Sequence, residues 1–376
     1  MEAGMWLYPW DFLDGGAPVL DEFVAMGVTA VHLTASYHSV LALTPHNLRR
    51  RTFLAERGAI YFQPDQAHWA HAPLQPLVSP FVHEHGDALA VAAPLCRERG
   101  LQLVAWTVCL HNSDLAFRSP EANVVNLRGE AYRFALCAAH PAVRAYLRTL
   151  MRDLRQRVDA IELELPHWLP FPHHHHAKPP TLPPAAHLAL NLCFCPHCRK
   201  RYEAHGADPD QIAAQLNARL DQLLEEAHAV DALIDAVPAL NTLLAAREET
   251  ITSLVAELVA AAAPTPIYAM PLGDPRLTGV NAAALAATAA RLEVLAYGAP
   301  EAAGTAAREA LGLTPTPDRL TIGLSLLAPE TPDEAHLQAA LQAVHMAGVQ
   351  RVCLYNYGLA SQTRLAWAAR SLQSLR

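Results

Sequence analysis

Three of the chain's seven cysteines fall within six positions: Cys193, Cys195 and Cys198 in the run LNLCFCPHCRKRY. Two glutamates, Glu162 and Glu164, stand two positions apart in DAIELEL. Thiolates in C-x-C-x2-C spacing form three quarters of a tetrahedral metal site, and Pro196 suits a tight knuckle leading into a helix at Arg199. The fourth ligand could be Cys137, His197, a member of the run His173, His174, His175 and His176, or Cys96, Cys109 or Cys353. Position favours Cys137, which precedes the helical stretch HPAVRAYL in the loop after the third predicted strand. Four thiolates leave no open coordination position, so such a metal holds structure rather than performing chemistry. Arg199, Lys200 and Arg201 would offset the charge that four thiolates leave on a dication. The alternative is free cysteines without metal, and Cys109 reads equally well as a small core residue.

The glutamates pose a different question. Side chains alternate between the faces of a strand. Ile161, Leu163 and Leu165 suit an apolar outer face, so Glu162 and Glu164 point the other way. Two enclosed carboxylates are costly unless they are paired or functional. Glu164 lies nearer the end of its strand, where a substrate can reach it, and reads as a general acid/base. Glu162, about 6–7 Å deeper along the strand, reads as its support. The competing reading is a buried ion-pair network.

Polar and aromatic residues accompany them. The second predicted strand alternates His32, Thr34, Ser36 and His38 on one face. The third ends near His111, Asn112 and Asp114. The first offers Trp6, Tyr8, Trp10 and Asp11, with Trp6 or Tyr8 expected in the core. The eighth ends in Tyr355, Asn356 and Tyr357. Rings stack on the C–H face of a sugar, while amides, hydroxyls and imidazoles bond its hydroxyl groups. Trp10, His38, His111, Asn112, His167, Lys178, Tyr355 and Asn356 are therefore the expected substrate contacts. In FPHHHHAKPP the histidine run could bind a metal, wall an active site with Lys178 facing an anionic group, or face solvent. Prolines 166, 170, 172, 179 and 180 stiffen it.

The elements that must position these groups follow from hydrophobic patterning. Eight apolar runs of strand length appear, at 5–9, 28–36, 101–109, 160–165, 266–272, 292–298, 320–328 and 351–358. Helical stretches such as PAVRAYLRTLMRDLRQRV lie between most of them, and a Gly closes several helices ahead of a strand (AMGVTAV, ERGLQLV, MAGVQRV). Strand then helix, eight times, predicts an α/β protein with a (β/α)8 TIM barrel spanning residues 1–376 as a single domain. Two segments exceed ordinary loops. Residues 37–88 follow strand two and contain an extra strand or hairpin around AIYFQ. Residues 166–262 follow strand four and hold a long loop and a helical insertion. Barrel enzymes work at the C-terminal ends of their strands, so both segments point to the working face.

Bulk properties narrow the class. The 376 residues carry a net charge of −8 and show no basic stripe, which argues against a nucleic-acid partner. The sequence has no 18-residue apolar run and no evident signal peptide. An odd number of cysteines without an export signal fits reduced thiols and a cytoplasmic location.

The order RFALCAAHPAVRAYLRTLMRDL, IELELPHW, CFCPHCRKRYEAHG resembles that of family-42 glycoside hydrolases, the bacterial β-galactosidases of the clan A TIM-barrel type. The resemblance covers roughly residues 130–205. It implies that Cys137, Cys193, Cys195 and Cys198 hold a structural Zn2+ and that Glu164 is the acid/base. The family's Asn before that glutamate is Leu163 here. Its nucleophile at the end of strand seven has no counterpart within LTIGLSLLA, where Glu330 follows immediately. The expectation is a glycosidase acting on a carbohydrate, with Glu164 paired with Glu330, Glu162 or Asp114. Retention or inversion of the anomeric centre and the formation of a homo-oligomer stay open. Two alternatives are a metal-dependent hydrolase or isomerase using His32, His38, His111, His167 and the histidine run, and a catalytically inactive sugar-binding barrel.

Overall fold

Eight parallel strands close into a barrel in the computed structural model, which describes residues 1–171 and 182–375. They are β1 (Glu2–Leu7), β2 (Ala30–Tyr37), β3 (Gln102–Val108), β4 (Ala160–Glu164), β5 (Ile267–Ala269), β6 (Arg291–Leu295), β7 (Leu320–Ser325) and β8 (Arg351–Tyr355). Each pairs with its successor, and β8 returns to β1 with Cys353 opposite Gly4. Helices follow every strand and cover the outer face. The (β/α)8 barrel expected from the eight apolar runs is the fold. Strand limits differ by a few residues. The first strand begins at Glu2 rather than Met5, because the chain pairs with β8 from Glu2 onward.

Alternation fixes what each strand buries. Ile161 and Leu163 of β4 are fully buried and apolar, on the face that packs under the helices. Glu162 points across the barrel instead, to Trp6 of β1 and His32 of β2. Inward residues stack in layers drawn from alternate strands. The even strands place His32, Glu162, Glu293 and Cys353 at corresponding inward positions, and Thr34, Glu164, Leu295 and Tyr355 two residues further on. The lower of these layers holds three ionisable side chains and a thiol where a barrel normally buries Val, Ile or Leu.

Both long excursions carry structure of their own. After β2 come a hairpin, Val40–Leu43 with Thr52–Ala55, and the two-residue strand Ala59–Ile60, antiparallel to β2. The extra strand expected around AIYFQ is therefore short, and the hairpin lies ahead of it. After β4 a chain of helices runs from Pro184–Asn191 to the 23-residue helix Leu240–Ala262. That last helix packs against Pro141–Leu154, where Arg144 and Arg148 meet Glu257 at 2.7 and 2.6 Å. Among the described residues no helix is long and apolar enough to cross a membrane.

Candidate active site and cysteine cluster

The upper inward layer opens into a pocket of about 220 Å³ at the C-terminal ends of the strands. Trp6, Tyr37, Trp106, Glu164, Tyr297 and Tyr355 line it, with Met270 and Leu295 closing the β5–β6 side. Glu164 is the only carboxylate among these lining residues. It ends β4, and the chain turns immediately afterwards through Leu165, whose φ of 52° is the only positive φ of a non-glycine residue described. That conformation is costly for a bulky side chain, and it falls directly after the last residue of β4.

The carboxylate of Glu164 accepts a hydrogen bond from the Trp106 indole, Nε1 to Oε2 at 2.5 Å. Burial pushes its pKa up to about 7, against the pull of that bond. Such a carboxyl group still holds its proton in an appreciable fraction of molecules near neutrality, as a general acid must. Around it the hydroxyl of Tyr8 links those of Tyr37 and Tyr355 at 3.0 and 3.2 Å. Burial raises all three phenols above the ordinary range, so they stand neutral as paired donors and acceptors. The Trp6 and Trp106 rings lie 6.3 Å apart and tilted.

Beneath this pocket, Glu162 accepts the Trp6 indole N–H at 2.9 Å and lies 2.6 Å from Nδ1 of His32. Burial raises the Glu162 pKa well above the carboxylate range and lowers that of His32. Glu293 is pushed to about 8, first by burial and then by the neighbouring Glu162 charge. Both Glu293 oxygens are fully buried; among the described residues no N–H or hydroxyl donor reaches them, and the group shares a hydrogen bond with the Glu162 carboxyl.

The other expected contacts scatter. His38 stacks between Tyr37 and His111 at 4.3 and 4.4 Å, and its Nδ1 meets Ser39 O at 2.7 Å. Trp10 is fully buried between Tyr8 and Phe53 and lines no part of the pocket. Asn112 caps the helix Ser113–Arg118 through its side-chain oxygen, and the same oxygen of Asn356 accepts Gly358 N. His167 is buried, with Nδ1 3.0 Å from Trp168 O. Asp114 pairs with Arg118 at 2.6 Å, away from the pocket. Glu330 sits half-buried on the turn after β7 and is not among the pocket's lining residues. Lys178 and the histidine run lie outside the described residues.

Sequence reasoning left out Trp106, Tyr37, Tyr297 and Glu293. The alternation of LEVLAY, with Leu292 and Val294 outward, carries the signal for Glu293. Nothing local marks Trp106, which reaches the site only because β3 and β4 pair with Val108 opposite Glu164. A larger cleft of about 450 Å³ lies beside the hairpin, between Phe53 and Phe81. The strand ends do not feed it, so the pocket on the barrel axis is the better placed for chemistry.

Cys137, Cys193, Cys195 and Cys198 meet as one buried cluster. Cys137 Sγ stands 3.5, 3.4 and 3.8 Å from the sulfurs of Cys195, Cys198 and Cys193. A disulfide would bring two sulfurs to about 2.0 Å. Four sulfurs about 2.3 Å from one ion stand about 3.8 Å apart along the tetrahedral edges. The donor set and spacing therefore fit a tetrahedral metal site. Neighbouring amides support it, with Val125 N and Cys198 N directed at Cys193 and Cys195 sulfur. The cluster ties the ribbon Asn123–Val125/Ala131–Leu136 to the start of the helix Pro196–Ala204.

The closed barrel, with an aromatic-lined pocket at its C-terminal mouth, defines the class as a (β/α)8 TIM barrel. A β-galactosidase from the psychrophilic Marinomonas ef1 superposes over 100% of this chain with a TM-score of 0.62 and 10% identity. The catalytic domain of β-amylase from Paenibacillus polymyxa matches with a TM-score of 0.59 and 12% identity, covering 98% of that domain. A β-galactosidase from Bacillus circulans sp. alkalophilus gives 0.58 and 12%. The chain spans 59% and 56% of the length of the two β-galactosidases. No protein-family model and no curated protein matches the chain by sequence.

Proposed function

We propose that this chain is a glycoside-hydrolase-type enzyme in which Glu164 protonates the leaving oxygen of a sugar held in the barrel mouth. The observation that carries the reading is the position of Glu164. It is a carboxyl group at the end of β4, inside an aromatic-lined pocket, raised to about 7 by burial and oriented by one indole N–H. At about 220 Å³ the pocket is smaller than the roughly 300–1,000 Å³ of drug-sized sites, which favours a single sugar unit. Tyr355, Tyr37 and Tyr297 supply hydroxyl groups for it, and Trp6 and Trp106 supply rings.

The partner carboxylate is proposed to be Glu330, on the turn after β7 and outside the pocket's present lining, with Glu162 supporting from below through Trp6 and His32. Cys137, Cys193, Cys195 and Cys198 are proposed to hold a structural Zn2+ beside the mouth. The test is hydrolysis of a panel of aryl glycosides, β-galactosides included. Glu164→Gln should lower kcat/KM by about 10²–10⁴-fold with fold and zinc content kept. Unchanged turnover would overturn the acid assignment.

A second reading has one observation in its favour. Glu164 stands alone as a carboxylate among the described residues lining the pocket, whereas glycosidases generally use a pair. A sugar-binding barrel without turnover would show ligand-induced thermal stabilisation and no hydrolysis of any glycoside in the panel.

A further inference from the structure

The layer beneath the pocket is not an ordinary barrel floor. It gathers His32 from β2, Glu162 from β4, Glu293 from β6 and Cys353 from β8, all fully or almost fully buried. One ligand atom each from His32, Glu293 and Cys353 lies within 4.8 Å of the others. Imidazole, carboxylate and thiolate together are the donor types of a zinc-class cation.

Four further observations point to an ion rather than to chance proximity. Glu293 is completely buried, and among the described residues no N–H or hydroxyl donor reaches its oxygens; its polar neighbours are the Glu162 carboxyl group and His32, with Nδ1 3.8 Å from Oε1. Glu162 engages Nδ1 of His32 at 2.6 Å and is itself held by the Trp6 indole. A carboxylate on one ring nitrogen fixes the tautomer and leaves the other, Nε2, as the lone-pair donor, the usual support of a metal-bound histidine. That nitrogen and the Cys353 sulfur flank one gap. A Cβ on Gly4 would come within 2.9 Å of both, so the glycine at this position of β1 is what leaves the space open. A third cavity, about 170 Å³ at the N-terminal mouth, reaches His32 past Gly4, Gln102, Arg291 and Thr321 and provides a route from solvent.

We propose that His32, Glu293 and Cys353 bind a divalent zinc-class cation inside the barrel, with Glu162 positioning His32. This ion is separate from the one assigned to the four-cysteine cluster, and the proposal does not depend on the carbohydrate reading. Ligation at about 2.0–2.3 Å asks the three side chains to draw together by rotamer adjustment, with no change of strand register. A bound dication would offset two of the three negative charges that Glu162, Glu293 and a Cys353 thiolate would otherwise enclose beside a neutral imidazole. Its place one layer below Glu164 makes it a structural pin under the pocket floor.

The test is metal stoichiometry of the full chain saturated with Zn2+ and freed of excess. Cys353→Ala should carry one equivalent less than the native chain, and Glu293→Gln should show the same deficit. Cys195→Ser should lose a different equivalent, so Cys353→Ala combined with Cys195→Ser loses two. Equal metal content in the native chain and folded Cys353→Ala or Glu293→Gln would overturn the proposal and leave a proton shared between Glu162 and Glu293. Should the variants fail to fold, crystals of the native chain grown with Zn2+ decide. An anomalous peak among His32, Glu293 and Cys353 supports the site, and a peak only at the four cysteines refutes it.

Discussion

Trp106 Nε1 stands 2.5 Å from Glu164 Oε2, a contact between inward residues of adjacent strands. A donor to a carboxylate favours its ionised form. Without the bond, the Glu164 pKa would lie still further above its present value near 7. A general acid works while protonated, so activity falls as pH rises through that pKa. Trp106→Phe should therefore move the alkaline fall of kcat/KM to higher pH. Its pH profile checks this, and a shift toward acid would contradict the assignment.

Glu164 should also tie stability to pH. Its pKa is about 7 in the fold and about 4.3 in an unfolded chain. The folded state thus binds more protons between these values, and stability present at low pH is lost as pH rises through about 7. Glu164→Gln removes that loss. The variant's melting temperature, relative to the native chain, should be higher at pH 8 than at pH 5. An equal difference at both values would mean that Glu164 is not perturbed.

The cysteine cluster makes a prediction independent of catalysis. With a metal bound, Cys137, Cys193, Cys195 and Cys198 should resist a thiol reagent until a strong chelator is added. Chelation or Cys195→Ser should then lower the melting temperature, because ligation energy is folding energy in such sites. Thiol titration with and without chelator, read beside zinc analysis, is the measurement.

Gly358 follows β8 and packs on Asp11, so a Cβ there would fall on the Asp11 carboxylate. Overpacking of this kind costs about 1–3 kcal/mol. Gly358→Ala should lower the unfolding free energy from denaturant titration by that much, and Asp11→Ala in the same chain should recover part of it. Additive losses in the double variant would show that the two positions do not meet.

The sequence by itself determined the periodicities. Alternating apolar residues in strands such as AIELEL, with amphipathic helices between them, leave few ways to bury both, and the closed barrel is the one the chain takes. The same alternation turned Glu162 and Glu164 inward. The C-x-C-x2-C spacing marked a cluster before any contact was known. These signals are local, because each depends on neighbours two to four residues away.

Only the tertiary structure decided which distant side chains share a cavity. Strand register put Trp106 on Glu164 and gathered His32, Glu162, Glu293 and Cys353 from four strands into one layer. Packing outside the strands sent Trp10 into the core, and local backbone engaged Asn112 and Asn356. Closure of the barrel fixes these meetings, since the eight strands hold their stagger jointly through a ring of hydrogen bonds. No short stretch of sequence encodes that stagger, so the inward direction of a residue was legible and its partner across the barrel was not.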